Sequence, residues 1–359
     1  MDVPPTFGTM PNSRDVKDDH SKQNNFNLFR LMAAFFVVVS HSFGLLLRGN
    51  EQPGIHLQHQ FIILSDMGLF IFFAISGYLV TQSLLHSPTY KIYLWKRFLR
   101  IVPALVVVNI ACVLMGLWLT TLSPSMYLSN KFTWQYLLLN STLVHNQFVL
   151  PGVFASLNDK SINASIWTIL LEVRFYILLL IANIFTLLKR KYLLLIIFLL
   201  LQIARIFFSV YSIDTKGIYV DVYFQYGSIF FTGMLFAIFQ QSLQKKPIIM
   251  LLLILVGLMI PVPVIQSIFL VVPTTYFILK LGKSSTILNL KGMDLSYGLY
   301  LYAFPIQQLL LLHFGYEIPV WLHIISTTVI ALFFAAFSWF FIEKPALHFK
   351  TRMPRFLLK

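Results

Sequence analysis

Ten long apolar runs divide this 359-residue chain and dictate what it can fold into. Crossing the hydrocarbon of a bilayer takes about 20 mostly apolar residues. The candidate spans are 27–47, 61–85, 98–121, 165–188, 192–211, 219–240, 247–262, 264–281, 294–314 and 320–342. The seventh and eighth are short and meet at Pro261, Val262 and Pro263, which predicts a tight outer turn. Segment 132–155 is apolar but broken by Asn140, His145, Asn146, Pro151 and Gly152, and reads as an outer loop with a partly embedded or interfacial helix. Backbone polar groups in lipid must be satisfied internally, so each span should be helical. The expected fold class is therefore an all-α polytopic membrane protein with about ten transmembrane helices. Only 11% of the residues are charged, against about a quarter in an ordinary soluble domain, which excludes a water-soluble globule.

The charges that remain report orientation. There are 27 Lys and Arg against 13 Asp and Glu, a net charge of +14. In a soluble protein that balance would suggest nucleic acid. Here the basic residues cluster between apolar runs, so membrane lipid is the expected partner and nucleic acid is not. With a cytoplasmic N-terminus, twenty basic residues fall inside and four outside, while Arg30, Arg174 and Arg205 lie within spans. Short loops rich in Lys and Arg stay cytoplasmic, so both termini are placed inside. Residues 1–25 are polar, carry Pro4, Pro5 and Pro11, and read as a disordered cytoplasmic tail with no secretory signal. Residues 26–345 form one transmembrane domain, and 346–359 a basic cytoplasmic tail. Cys112 is the sole cysteine, which leaves no intrachain disulfide and no thiolate zinc cluster; no metal is expected.

An ionisable group inside a span is costly and marks a functional candidate. The first span carries Arg30 and His41, eleven residues apart. That is about 16 Å along a helix and roughly 1100° around it, so both side chains point to one face. The fourth span carries Glu172 and Arg174. Counted from the span ends, Glu172 lies about 10 Å below the outer surface and His41 about 21 Å above the inner one. These depths are similar, and a His41–Glu172 pair is allowed if the helices are neighbours. Such a carboxylate would orient the imidazole and raise its basicity, as general-base chemistry requires. Arg174 is about 200° round the helix from Glu172 and faces elsewhere. The plainer readings are a helix–helix contact for His41 and an interface anchor for Arg30.

At the inner end of the third span stand Lys96, Arg97 and Arg100, in the run Lys-Arg-Phe-Leu-Arg-Ile-Val-Pro. Arg97 and Arg100 are at i, i+3 and share a face. Two guanidiniums so placed can hold phosphates of a cytoplasmic anion such as a nucleotide or coenzyme A. The plainer reading is topology and lipid headgroup contact. Other motifs fail. Gly282-Lys283-Ser284 resembles the end of a phosphate-binding loop, but Phe277 stands where the first Gly belongs. No G-x-S-x-G elbow, H-E-x-x-H site or His-x4-Asp acyltransferase signature is present. Asn140 and Asn163 fit glycosylation sequons, a weak signal.

Six segments, in order, resemble the integral-membrane acyltransferases of family 3, which O-acylate surface glycans. They are Asn24 to Arg30 with His41; Gly68 to Leu79, including Ser76, Gly77 and Tyr78; Arg97 to Pro103; Asn163 to Glu172, with Trp167 and Thr168; Ser296 to Leu301, with Tyr300; and Ser338-Trp339 with Glu343-Lys344-Pro345. The similarity runs through most of residues 24–348. Two positions depart from it. Asn27 stands where the family often has Asp, which removes a carboxylate partner for Arg30. Ala303 stands where a His is common, which leaves His41 as the base.

The resemblance implies acetyl-coenzyme A as donor, bound from the cytoplasm by Arg97 and Arg100 with Lys96 beside them. The acceptor would be a hydroxyl of a surface or lipid-linked glycan, with lipopolysaccharide O-antigen the first choice. His41, Glu172 and Arg30 form the implied catalytic set: His41 as general base or acyl acceptor, Glu172 orienting it, and Arg30 on the pantetheine end or the developing oxyanion. Tyr78, Trp167 and Tyr300 are candidates for lining the acceptor path. The expected location is a bacterial inner membrane, and a homodimer is left open. Peptidoglycan or a small molecule could replace O-antigen as acceptor. A different class of protein also fits the intramembrane charges: a transporter or flippase for an anionic lipid-linked glycan, although the chain shows no pair of related halves.

Overall fold

A computed structural model of the chain describes residues 24–57, 60–210, 220–239, 246–284 and 292–351. The expected tail at 1–25 lies almost wholly outside the described residues, as does much of the tail at 346–359.

The described chain is an all-α polytopic membrane protein. Its helices are α1 (Phe26–Leu45), α2 (Leu64–Leu85), α3 (Tyr90–Leu119), α4 (Pro124–Ser129), α5 (Lys131–Thr142), α6 (Trp167–Ile184), α7 (Lys191–Val210), α8 (Val220–Ile238), α9 (Pro247–Leu258), α10 (Pro263–Gly282), α11 (Ser296–Phe314), α12 (Val320–Ser338) and α13 (Lys344–His348). A π-helical turn, Trp339–Glu343, joins α12 to α13. A hairpin of β1 (Gly54–Leu57) and β2 (Gln60–Ile63) lies between α1 and α2.

Each expected span coincides with a helix. Seven helical stretches among the described residues are long and apolar enough to cross a bilayer: those beginning at Phe26, Leu64, Tyr90, Ala164, Lys191, Pro263 and Val320. Val222–Ile238 and Pro247–Leu258 are shorter and apolar. The tenth, α11, has 19 residues, with Gln307 and Gln308 inside it. Local chemistry sets several boundaries. The Thr89 side chain accepts from the Ile92 amide, 3.3 Å, and starts α3. Pro247 and Pro263 open α9 and α10, where a missing amide costs nothing. At 30 residues, α3 is about 45 Å long and exceeds a hydrocarbon layer of about 30 Å. Its first turns, which carry Lys91 to Arg100, therefore reach beyond that layer on the basic side.

The helices approach closely where small residues face each other, as expected without a hydrophobic drive between helices in lipid. A Cβ added at Gly77 of α2 would overlap the Phe230 carbonyl of α8, and one at Gly233 of α8 would overlap the Ala74 carbonyl of α2. The outward face of α7, with Ile196, Leu199, Leu200, Ile203 and Phe207, is exposed, as a lipid-facing surface requires.

α1 and α11 run side by side in the same direction. Arg30 meets Asp294 at one end, and the Gln307 amide donates to the Val38 carbonyl (2.8 Å) and to Ser42 Oγ (2.7 Å) further along. The neighbouring Gln308 donates to the carbonyls of Asp159 and Ser161, at 2.9 and 2.8 Å. Seven residues deeper on α11, the Leu301 carbonyl accepts from Asn163 Nδ2, 2.9 Å. The chain before α6 thus descends along α11 as irregular backbone up to the 3₁₀ turn Ala164–Ile166, its polar groups taken up by protein. Irregular backbone at membrane depth is tolerated only under that condition.

Segment 132–155 forms α5 and a loop that folds back onto it. Tyr136, Leu150 and Phe154 are buried there, and Asn140 pairs reciprocally with the backbone of Gln147 at 2.8 and 3.0 Å. Asn140 and Asn163 are both buried and engaged, so neither sequon presents its side chain at the surface.

Candidate active site

A cavity of about 310 Å³ lies among α1, α2, α3, α6, α11 and the C-terminal turns. Its charged lining is Arg30, Arg97, Arg100 and Lys350 against Glu172 and Asp294, with Tyr176, Tyr297 and Tyr300 between them. The parts of the chain that meet here carry the basic loops, so the cavity belongs to the side assigned to the cytoplasm.

Two arginines converge on one carboxylate. Asp294 Oδ2 accepts from Arg30 Nη1 at 3.3 Å and from Arg100 Nη2, while its Oδ1 accepts from the Ser296 hydroxyl and, at 3.2 Å, the Ser296 amide. Arg100 also reaches Glu343 at 3.5 Å and lies over the Tyr297 ring. Charge-assisted bonds of this kind are the strong ones in proteins. The carboxylate that Asn27 fails to supply is thus supplied by Asp294. Asn27 itself lines the cavity and donates to the Met293 carbonyl, 3.2 Å, holding the Asp294 loop in place.

Glu172 accepts from Ser76 Oγ at 2.6 Å and from Tyr176 Oη, and Ser76 Oγ lies 3.0 Å from that same phenol. The family-like segment around Ser76 therefore serves the carboxylate directly. Arg97 donates to Ser83 Oγ, 3.2 Å, and lies over the Tyr176 ring, 5.8 Å from its centroid. Among the described residues Arg97 forms no ion pair, and its Nε is buried without an acceptor. Lys96 points out of the cavity and donates to Ser87 Oγ, 3.2 Å.

His41 does not line the cavity, and the expected His41–Glu172 pair is not formed. The His41 ring stands edge-on to Phe304, centroids 5.3 Å apart, and the carboxylate in electrostatic reach of it is Asp159 in the outer loop. Thr168 and Tyr300 share a hydrogen bond of 2.6 Å and so mark one level. Glu172 is four residues below Thr168 on α6, and Phe304 is four residues beyond Tyr300 on α11. At 1.5 Å per residue, the two groups are about 12 Å apart along the membrane normal. The reason is where α6 starts. Thr168, its second residue, is level with Tyr300, fourteen residues short of the end of α11. The fourth span begins deep in the fold, so depth counted from its start places Glu172 too near the outer surface.

The three aromatic candidates separate. Tyr300 lines the cavity and ends the contribution of α11 to it. Trp167 packs on Tyr226, centroids 6.0 Å apart, and lies outside the lining. Tyr78 is buried in a second apolar cluster, under Lys283 and near Phe26. Arg174 lies over the Tyr223 ring and away from Glu172's partners. Asp294, Ser76, Tyr176 and Lys350 were not among the site residues expected from sequence. Ser76 stood in a motif segment; Asp294 stood at the first position of the expected span 294–314, where a charge at a span end carries no signal, and the helix itself starts two residues later.

Residues 23–341 match the acyltransferase domain family Acyl_transf_3. An O-acetyl transferase of Shigella phage Sf6 is 27% identical over 332 residues, 90% of this chain and 96% of the relative. Nodulation protein 10 of Rhizobium leguminosarum bv. viciae is 31% identical over 169 residues, 45% of this chain and 44% of the relative. No solved structure matches the chain. With the family match covering most of its length, the chain belongs to the acyltransferase 3 family and is an integral-membrane acyltransferase.

Proposed function

We propose that the chain transfers an acetyl group from cytoplasmic acetyl-coenzyme A to a hydroxyl of a surface or lipid-linked glycan across a bacterial inner membrane. Lipopolysaccharide O-antigen is the acceptor class we favour. The observation that carries the reading is the cavity. It sets Arg30, Arg97, Arg100 and Lys350 around a space at the inner end of the bundle, and Arg97 forms no ion pair among the described residues, its Nε being buried without an acceptor. A half-buried guanidinium with an unsatisfied N–H is completed by an anionic ligand. The phosphate-bearing donor fits that requirement. The phage relative, an O-acetyl transferase by name, supports acetyl as the group moved and oxygen as its destination.

The donor supplies an activated acyl carbon and a thiolate leaving group. Arg97 binds its anionic end. Arg30 and Arg100 are bound to Asp294 and shape the floor of the cavity. The acetyl group would reach His41 past Tyr300 and Thr168, whose mutual hydrogen bond closes the top of the cavity in this conformation. His41 accepts the proton of the acceptor hydroxyl as its oxygen attacks the thioester carbon. The carbon–sulfur bond breaks, and the imidazolium returns its proton to the departing thiolate. An acetyl ester and a free thiol result. Glu172, held by Ser76 and Tyr176, stays on the donor side, where it positions the Arg97-bearing wall through Tyr176.

The test is purified protein, labelled acetyl-coenzyme A and glycan acceptor. Label should appear in the glycan with a mass gain of one acetyl substituent. A protein that never releases free thiol from acetyl-coenzyme A, yet moves lipid-linked glycan across vesicles, would instead be the transporter.

A further inference from the structure

Lys350 has no role in the reading above, yet it lines the cavity. It sits on the 3₁₀ turn Phe349–Thr351, directly after α13. Trp95 of α3 fixes that turn against the cavity mouth by donating its indole N–H to the Phe349 carbonyl, 3.0 Å. Leu347 of α13 lines the same wall.

The charges in electrostatic reach of Lys350 are Arg100, Arg97 and, more remotely and directed to Ser87, Lys96, all from α3, with Asp294 from the loop before α11. Both neighbouring carboxylates are already engaged: Asp294 with Arg30 and Arg100, and Glu343 with Arg100. Among the described residues neither Lys350 nor Arg97 forms an ion pair. Two cations therefore share one cavity wall with no ion-pair partner among the described residues, held there by a tryptophan tether and a tyrosine face, and the remaining carboxylate of the lining, Glu172, is taken up by Ser76 and Tyr176. Gathering like charges in a half-buried site opposes folding unless a ligand of opposite sign binds there.

We propose that Lys350 and Arg97 form a phosphate-binding site at the mouth of the cavity, which makes the enzyme select phosphorylated thioester donors over unphosphorylated ones. This rests on the acyl-donor reading above and adds a specificity residue to it. The two side chains suit different parts of the task. The guanidinium presents a fixed fork to phosphate oxygens, whereas the ammonium is a mobile point charge that can follow a phosphate as it enters. Burial, then Arg100, Arg97 and Lys96, push the Lys350 ammonium down to a pKa of about 8. In the donor-free protein its charge is present below that pH and lost above it.

The experiment compares wild type, Lys350→Ala and Lys350→Arg as full chains in detergent. The donors are acetyl-coenzyme A and S-acetylpantetheine, which has no phosphate. Losing one charge-assisted contact should raise KM for acetyl-coenzyme A by about 10-fold in Lys350→Ala, with kcat unchanged. The kcat/KM for S-acetylpantetheine should not move, and Lys350→Arg should restore the acetyl-coenzyme A value. Wild-type kcat/KM for acetyl-coenzyme A should fall as pH rises through about 8, and Lys350→Arg should lack that fall. Equal losses with both donors, or an unchanged KM in Lys350→Ala, would overturn the inference. Titration with adenosine 3′,5′-bisphosphate separates it from the donor reading. If wild type binds the bisphosphate and Lys350→Ala binds it about 10-fold more weakly, the anion site stands even where acetyl-coenzyme A is not turned over. If wild type turns over acetyl-coenzyme A and both proteins bind the bisphosphate equally, the donor reading stands and the Lys350 site falls.

Discussion

Asp294→Asn is the substitution that reads the architecture of the cavity most directly. The carboxylate is 7% exposed and serves two arginines, each 20% exposed, so it is the shared counter-charge of the site. The amide keeps the shape and the bond to Ser296, but removes the charge. Arg100 would keep Glu343 at 3.5 Å, while Arg30 would lose its only ion-pair partner among the described residues. Breaking a buried pair by removing one member costs about 3–5 kcal/mol. The surviving Arg100–Glu343 contact and the partial exposure of both guanidiniums place the expected loss near the lower end, about 3 kcal/mol. The assay is reversible unfolding in mixed micelles of dodecyl maltoside and dodecyl sulfate, followed by tryptophan fluorescence. A double-mutant cycle with Arg30→Gln assigns the loss, because residues in one network show interaction energies of about 0.5–3 kcal/mol. We expect a coupling above about 1.5 kcal/mol, since the bond is between charged groups. A total loss under about 1 kcal/mol, with no coupling, would mean that water screens these charges and that Asp294 does not organise the site.

Other expectations follow from the same geometry. His41→Ala should lower acyl transfer by about 100- to 10,000-fold with normal membrane expression, the range for loss of a general base; retained activity removes His41 from the chemistry. Arg97→Ala should raise the apparent KM for acetyl-coenzyme A by about 10-fold or more, whereas Lys96→Ala, whose ammonium points to Ser87 outside the cavity, should leave it nearly unchanged. Equal effects of the two would show that the basic cluster acts only through bulk charge. Gly77→Ala should destabilise the α2–α8 contact by about 1–3 kcal/mol in the same unfolding assay, because the added Cβ meets backbone that cannot swing away.

Much of this was written in the order of the residues. The apolar runs placed the long helices to within a few residues except at the start of α3, which begins eight residues before its apolar run, and the Pro261–Pro263 turn falls between α9 and α10 as expected. Arg30, Arg97, Arg100, Glu172 and Tyr300 share one cavity, and each is a residue type that is expensive or directional inside a bundle. Asp294 was not legible because its value is relational. It is an ordinary loop aspartate until a parallel packing of α1 and α11 brings it, across 264 residues, to Arg30. Depth failed for a related reason. Hydropathy shows where a span becomes apolar, but the polar stretch Asp159–Asn163 already runs down into the bundle before α6, its polar groups taken up by α11. The distance from surface to Glu172 therefore cannot be counted in helical steps.

That misplaced depth changes what the fold must accomplish. A histidine and a carboxylate at one level would have formed a single site open to both substrates. Instead, the donor-side charges end at Tyr300, and His41 sits one turn beyond, at Phe304. Between them stand the Thr168–Tyr300 hydrogen bond and the Phe72 ring, which meets Tyr300 edge-on at 5.6 Å. On the proposed reading, a donor gripped at the inner mouth presents its acyl group to His41 by way of this pair, which stands between the cavity lining and Phe304. Thr168→Val tests the point: it removes the hydroxyl partner of Tyr300 and keeps the volume close. If the bond is a latch, transfer to acceptor should quicken relative to donor affinity, and acceptor-independent hydrolysis of acetyl-coenzyme A should rise as the two compartments join. If both rates are unchanged while Tyr300→Ala abolishes transfer, Tyr300 guides substrate rather than closing a gate.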